Sequence, residues 1–277
     1  MSMNQSVLIC DQVNPVLNEI LEKNGLQITY EPEITPEQIL EKIENFEVII
    51  VRSRTKITKD MIEKANKCQI IARVGVGLDN IDQAAAKEKN IRVINAVEGA
   101  MNAVAELVIG LMLSLAREIP RADREVRNGN WIKKELMGTE LRGKYLGIVG
   151  LGNIGKRLGR LARALNMNII GYDVVPIDEE FSSEVGLMKA DLGTLLASSD
   201  YVSLHVPLLD STKHLINAEK MSTMKNTSRI INTSRGGVID EDALYEFLKD
   251  GKLGGAALDV FEVEPASSNK RASLPNF

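Results

Sequence analysis

The sequence predicts an α/β protein built from two open, doubly wound parallel-sheet domains. Short apolar runs alternate with amphipathic stretches along the whole chain, and such alternation argues for parallel sheets covered on both faces. A length of 277 residues fits about two domains of roughly 150 residues each. A long apolar helix interrupts the alternation near residue 100, so one series of elements precedes it and another follows.

In the first series, residues 7–10, 28–30, 48–51, 70–72 and 91–94 read as buried strands. The stretch "NPVLNEILEKNG" reads as a helix with Asn14 as N-cap, Pro15 at the first helical position and Gly25 at its end. "TPEQILEKIENF" repeats the pattern with Thr35 and Pro36. "NAVAELVIGLMLSLAREI" is apolar on most faces, so it is expected to pack on a second surface, another domain or another subunit. Residues 121–142 read as polar and irregular around Trp131. The second series follows as "YLGIV", "NIIGY", "YVSLHV", "RIINT" and "GAALDV". The expected domains are 1–98 and 99–277, with the helix and the Trp131 segment, about 100–142, opening the second.

Hydrophobic content of 44% and charged content of 26% are ordinary for a globular chain, and this length can bury a core without disulfides or metals. A formal charge of -4 and a pI near 5.5 give no electrostatic reason to expect nucleic acid. Cys10 and Cys68 border apolar runs and read as buried free thiols. The start "MSMNQSVLIC" lacks a basic region followed by a long apolar one. The apolar stretch 103–116 contains Glu106 and reads as too short for a bilayer. A cytoplasmic protein with no membrane partner and no metal site is expected.

The sharpest local signal is "YLGIVGLGNIGKRLGRLARAL". Gly150, Gly152 and Gly155 give the G-x-G-x-x-G spacing between an apolar strand and a helix with Ile154, Leu158, Leu161, Ala162 and Leu165 on one face. Gly150 permits the tight turn, Gly152 lets backbone approach a pyrophosphate, and Gly155 allows close helix–strand packing. The helix start offers free N–H groups to the anion. About twenty residues on, Asp173 ends a strand where a carboxylate can accept both adenine-ribose hydroxyls; no cation follows in Val174, Val175 and Pro176, which favours NAD over NADP. The competing reading is a plain βαβ turn with a solvated aspartate.

"RIINTSRGGVIDEDAL" places Thr233, Ser234 and Arg235 at a strand's carboxyl end, with Gly236 and Gly237 turning behind them and Asp240 capping the next helix. An arginine there can grip a carboxylate through two parallel hydrogen bonds. Taken alone, Arg235 is better read as a surface salt bridge. "GAALDVFEVEP" brings Asp259 to a strand end and Glu264 before Pro265, where Glu262 and Glu264 could equally be solvated charges. Arg52, Arg54 and Arg73 sit near strand ends beside a turn at Gly75 and Gly77; they could hold a phosphate or carboxylate, or be ordinary surface charge.

Together "GKYLGIVGLGNIG", "SLHVPLL", "NTSRGGVIDEDAL" and "AALDVFEVEP" resemble the D-isomer-specific 2-hydroxyacid dehydrogenases. "VRSRTKIT", "RVGVGLDNID" and "NWIKKELMGTEL" are similar, within that family, to D-3-phosphoglycerate dehydrogenases. The resemblance runs from about residue 6 to 277. It implies a flavodoxin-like substrate domain followed by a Rossmann-type NAD domain. Arg235 would orient the substrate carboxylate and carbonyl, and Glu264 would be the acid partner of a catalytic histidine. Gly150, Gly152, Asn153, Ile154, Gly155, Asp173, His205, Val206, Pro207, Thr233, Ser234, Arg235 and Asp259 would surround the cofactor. Val76 and Gly77 would lie over substrate and nicotinamide, with Arg52, Ser53, Arg73, Gly75 and Asn102 toward the substrate. The helix from about Asn102 and the Trp131 segment would form most of a two-fold dimer interface. The implied partners are a small 2-hydroxy or 2-oxo acid and a second copy of the chain.

The family's base lies in a Pro-His pair a few residues beyond an "LPN" run. Here Leu274, Pro275 and Asn276 are present and the sequence stops at Phe277. Of the two histidines, His205 reads as support for the cofactor pocket and His214 as a surface residue. The expectation is a shortened form of a longer enzyme, without the last strand of the nucleotide domain and the helix that returns to the substrate domain. It would bind NAD weakly and turn over slowly, since a positioned base contributes about 10²–10⁴ in rate. The alternatives are a glyoxylate or hydroxypyruvate reductase and, in another class, an NAD-sensing binding protein like the carboxy-terminal-binding co-repressors.

Overall fold

The computed structural model describes residues 5–264; Leu274, Pro275, Asn276 and Phe277, which carry the expectation about the end of the chain, lie outside them. Two compact units emerge, Met1–Ala100 and Met101–Phe277.

The first unit runs β1 (Ser6–Ile9), α1 (Pro15–Lys23), β2 (Gln27–Tyr30), α2 (Pro36–Lys42), β3 (Val48–Val51), α3 (Lys59–Lys64), β4 (Ile70–Arg73), α4 (Gln83–Glu88) and β5 (Arg92–Asn95). Its sheet has the order β2-β1-β3-β4-β5 with every pairing parallel, the flavodoxin-like order. Neighbouring residues of the strands serve opposite faces. Leu8, Ile49 and Ile71 enter one core, while Val7, Ile9 and Ile50 enter the other. Local chemistry starts the helices as expected: Asn14 accepts from the Val16 amide, and Thr35 and Gln38 form a reciprocal capping box. Both cysteines are free and buried, and burial pushes the Cys10 thiol up to about 12 and that of Cys68 to about 11. Neither is a nucleophile at neutral pH.

From the end of the first unit, α5 (Val97–Arg117) leads into α6 (Ile119–Arg127), β6 (Tyr145–Val149), α7 (Asn153–Ala164), β7 (Asn168–Tyr172), α8 (Glu179–Val185), β8 (Met188–Lys189), α9 (Leu192–Ser198), β9 (Tyr201–Leu204), α10 (Ala218–Ser222), β10 (Arg229–Asn232), α11 (Glu241–Lys249) and β11 (Gly255–Leu258). The sheet order β11-β10-β9-β6-β7-β8 is the Rossmann order read from its far edge. Leu146, Ile148, Ile169 and Ile231 face one core, with Val149, Ile170, Val202 and Ile230 facing the other.

Two sequence expectations need correction here. Residues 121–142 are not irregular throughout, because α6 occupies their first third; the left-handed Glu118 turns the chain and Pro120 sits in the first helical turn, where it starts a helix rather than ending one. The apolar helix is also longer than its most apolar run, and Gly99–Arg117 is long and apolar enough to cross a bilayer by length and composition alone. Its buried stripe of Ala105, Val108, Met112 and Ala116 nevertheless lies in the core of the second unit. Leu107 and Leu113, on other faces, stay exposed.

Candidate functional site

The glycine loop follows β6 at the point where the strand order of the second sheet reverses, between β6 and β9. Gly150 takes φ 93°, and a Cβ there would sit 2.5 Å from the carbonyl oxygen of His205, which follows β9. A Cβ on Gly155 would meet the Gly150 carbonyl oxygen at 2.1 Å, so helix and turn touch through backbone. At Gly152 a Cβ would meet nothing within 4 Å. The loop therefore faces open space where only its backbone is presented. Gly152 is the N-cap of α7 and no side chain caps that helix, whereas α8, α9, α10 and α11 are capped by Asp178, Asp191, Asn217 and Asp240. The first amides of α7 remain available for an anion. The packed stripe of α7 is Gly155, Leu158, Gly159 and Ala162. Leu165, expected on that face, is the C-cap residue just past the helix and is exposed.

Asp173 follows β7 and holds the loop as well as facing it. Its Oδ2 accepts from the Leu151 amide at 2.7 Å and its Oδ1 from the Val175 amide at 3.1 Å. A carboxylate tethered to the phosphate loop is pre-set for a ribose beside it. His205 pairs through Nε2 with the Ser203 hydroxyl at 2.9 Å, and desolvation lowers its pKa to about 4. Its imidazole is neutral at pH 7. Val206 is half-buried and Pro207 exposed just beyond it. After β10, the Thr233 hydroxyl is buried without a partner, a polar group suited to a ligand at this edge. The residues present thus fit a dinucleotide, through a bare loop, an uncapped helix start, a tethered carboxylate and an orphaned hydroxyl.

Arg235 is fixed by a residue that sequence reasoning passed over. Buried Asn232 accepts from the Ser234 amide and hydroxyl at 3.0 and 2.7 Å, and donates to the Arg235 carbonyl at 2.9 Å. Gly236 then runs against the chain after β11, where a Cβ would lie 1.9 Å from the Phe261 carbonyl oxygen. Asp259 is exposed at the end of β11, its amide donating to the Asn232 carbonyl at 3.0 Å. Glu264 bends back to accept from the Phe261 amide at 3.1 Å.

Glu262 is exposed, yet it is also tied to the fold. It accepts from the Glu241 amide at 3.2 Å while buried Glu241 accepts from the Glu262 amide at 2.6 Å. His214, expected at the surface, keeps 38% of its side chain exposed in the left-handed region, with Nε2 3.2 Å from Glu262 Oε1 and its amide donating to the Gly237 carbonyl. No histidine spacing signals this cluster, since His214 and Glu262 lie 48 positions apart.

In the first unit the strand order reverses between β1 and β3. Buried Asp11, after β1, accepts from the Arg52 amide and the Thr55 hydroxyl, and pairs with Arg54 at 3.0 Å. Arg54 also donates to the carbonyls of Cys10, Pro32 and Ile34. Of the three early arginines it is therefore the structural one. Arg52 and Ser53 are exposed, with Arg52 Nη1 on the Gln12 carbonyl at 3.0 Å. Buried Asn80 ties this loop through the Arg52 and Thr55 carbonyls. The Arg73 guanidinium folds over Gly75, and Asn95 holds the Val76 carbonyl beside Gly77. Asn102 is exposed on α5, within the second unit. Each unit thus gathers its candidate residues on the carboxyl edge of its own sheet, Asn102 excepted.

The resemblance to known proteins covers both units. Residues 109–277 match the family model described as "D-isomer specific 2-hydroxyacid dehydrogenase, NAD binding domain". The chain is 46% identical over 271 residues to the D-3-phosphoglycerate dehydrogenase of Methanocaldococcus jannaschii, covering 98% of this chain and 51% of that protein. It thus spans about half the length of that relative. It is likewise 46% identical over 255 residues to the hydroxypyruvate reductase of Thermotoga maritima, covering 92% of this chain and 82% of that one. Among solved structures, a glyoxylate reductase from Paecilomyes thermophila superposes with a TM-score of 0.90 at 30% identity, covering 99% of this chain and 87% of the other. The chain belongs to the D-isomer-specific 2-hydroxyacid dehydrogenase family, with an NAD binding domain in its second unit.

Proposed function

We propose that the protein oxidises D-3-phosphoglycerate to 3-phosphohydroxypyruvate with NAD, the opening step of serine synthesis. The observation that carries the reading is the shared edge of the second sheet, where the bare glycine loop, Asp173 and Arg235 follow β6, β7 and β10. Bound NAD supplies the hydride acceptor. The amides of Asn153, Ile154 and Gly155 would hold its pyrophosphate, and Asp173 its adenine ribose. Arg235 holds the substrate carboxylate, fixing the orientation of C2. Glu264 is assigned as the acid partner of a base. Neither His205, held by Ser203 with a pKa of about 4, nor His214, held by Glu262, fills the place of that base, so the 2-hydroxyl proton leaves to solvent and turnover is slow. Arg52 and Arg73, at the carboxyl edge of the first unit's own sheet, are the cations proposed for a phosphate group.

Hydroxypyruvate or glyoxylate reduction is the second reading, favoured by the 46% identity to the Thermotoga hydroxypyruvate reductase, of which the chain covers 82%. A panel of 3-phosphoglycerate, glycerate, lactate and 2-hydroxyglutarate with NAD separates the two. Loss of phosphoglycerate turnover in Arg52→Ala and Arg73→Ala supports the first, and preference for the unphosphorylated acid supports the second. The protein works as a cytoplasmic homodimer in this reading. The supporting feature is the exposure of large apolar residues within 100–142: Trp131 is 80% and Met137 86% exposed, and Leu107 and Leu113 are exposed too. Sedimentation of the chain and of Leu113→Glu tests it.

A further inference from the structure

The amino-terminal edge of the second sheet, opposite the glycine loop, holds a cavity of about 260 Å³. Its walls come from the starts of three adjacent strands: Lys144 before β6, Asp200 and Tyr201 at β9, and Asn226, Thr227 and Arg229 at β10. The single carboxylate in this wall is already matched. Asp200 Oδ1 accepts from Lys225 at 2.9 Å and Oδ2 from the Tyr145 amide at 2.8 Å. Burial opposes its charge, but these bonds hold its pKa below the usual carboxylate range.

Two cations remain. Among the described residues, neither Lys144 nor Arg229 has a carboxylate within ion-pair distance. The Arg229 guanidinium lies 5.4 Å from the ring centroid of fully buried Tyr201, with Nη1 3.4 Å from the phenol oxygen, and its Nε is buried without a partner. An arginine stacked on a fixed ring is oriented in advance, so it loses little side-chain freedom when it binds an oxyanion. Asp200 is shared by Lys225 and, at longer range, by Lys144, so three cations face one carboxylate and leave a net positive charge of two that matches a dianion. The volume lies below the range of about 300–1,000 Å³ usual for drug-sized ligands and cofactors.

We propose that this cavity is a second ligand site, taking a small oxyanion of two negative charges, a phosphate or phosphomonoester, on Arg229 and Lys144 with Asn226 and Thr227 as neutral donors. The site is independent of the proposed dehydrogenase reaction and lies at the opposite sheet edge from the dinucleotide loop.

Calorimetric titration of the full chain with inorganic phosphate, at a constant ionic strength of about 0.15 M, tests it. Saturable millimolar binding is expected, at least tenfold weaker in Arg229→Gln and in Lys144→Gln. A saturable phase should persist in the double variant Arg52→Ala/Arg73→Ala, which removes only the share taken by the proposed substrate-phosphate residues. Should Arg229→Gln disturb the Tyr201 core, Lys144→Gln carries the test alone. NADH affinity in Lys144→Gln should equal that of the parent. Tighter binding of glycerol phosphate than of phosphate identifies a phosphomonoester site, and equal binding a phosphate site. Absence of saturation, or binding lost only in the Arg52/Arg73 variant, overturns the proposal.

Discussion

Gly236 and Phe261 touch through their backbones, so closely that a Cβ on Gly236 would lie 1.9 Å from the Phe261 carbonyl oxygen. The loop carrying Arg235 and the loop carrying Glu264 are therefore one mechanical piece. Gly236→Ala must push them apart. A loss of about 1–3 kcal/mol in stability is expected from urea unfolding, with weaker 2-oxo acid binding to the NADH complex.

The glycine loop separates two kinds of glycine. Gly155→Ala drives a methyl into the Gly150 carbonyl and should destabilise the fold, whereas the open surroundings of Gly152 accept a methyl freely. Gly152→Ala should therefore melt like the parent yet bind NADH at least about tenfold more weakly, a loss of about 1.4 kcal/mol. Thermal melting and nicotinamide fluorescence titration read the two effects apart.

Glu262 fastens the acidic loop from two sides, through the Glu241 amide and His214. Truncation in Glu262→Ala leaves both donors without this acceptor. Because the pair is partly exposed, the expected cost is modest, about 1 kcal/mol. Amide exchange should quicken at Phe261 and Glu262 and stay unchanged around Gly150. His214→Gly, which removes the left-handed strain along with the imidazole, should show the same local exchange with little loss of stability.

His205 gives the nucleotide domain a pH dependence of defined sign. Its native pKa is lowered to about 4 from 6.5 by desolvation. Below pH 6.5 the unfolded chain takes up a proton that the native chain refuses. The stabilisation is full above about pH 6.5 and drains away as pH falls toward 4, by up to about 2–3 kcal/mol. Urea midpoints measured from pH 7.5 to 4.5 should fall more steeply for the parent than for His205→Gln.

The features legible in the sequence are those with local causes. Gly150, Gly152 and Gly155 announce a strand–turn–helix because each answers a backbone need within a few residues. The caps at Asn14, Thr35 and Asp240 are equally local. Asp11, Asn232 and the His214–Glu262–Glu241 cluster were not legible, since each takes its meaning from partners brought close only by the folded sheet. Arg54 shows the limit well. Its charge and position match those of Arg52, and only its grip on Asp11 and three carbonyls marks it as structural. The start of α6 was hidden by Pro120, and β8 by having two residues.

Hydride transfer from C2 of the hydroxy acid to NAD is the central claim, and isotope transfer tests it most directly. The protein is incubated with NAD and D-3-phosphoglycerate deuterated at C2, and the NADH formed is examined by mass spectrometry. One deuterium at the nicotinamide C4 is predicted, with none delivered from the L isomer. NADH without the label, or no reduction under prolonged incubation with any D-2-hydroxy acid of the panel, would contradict the account.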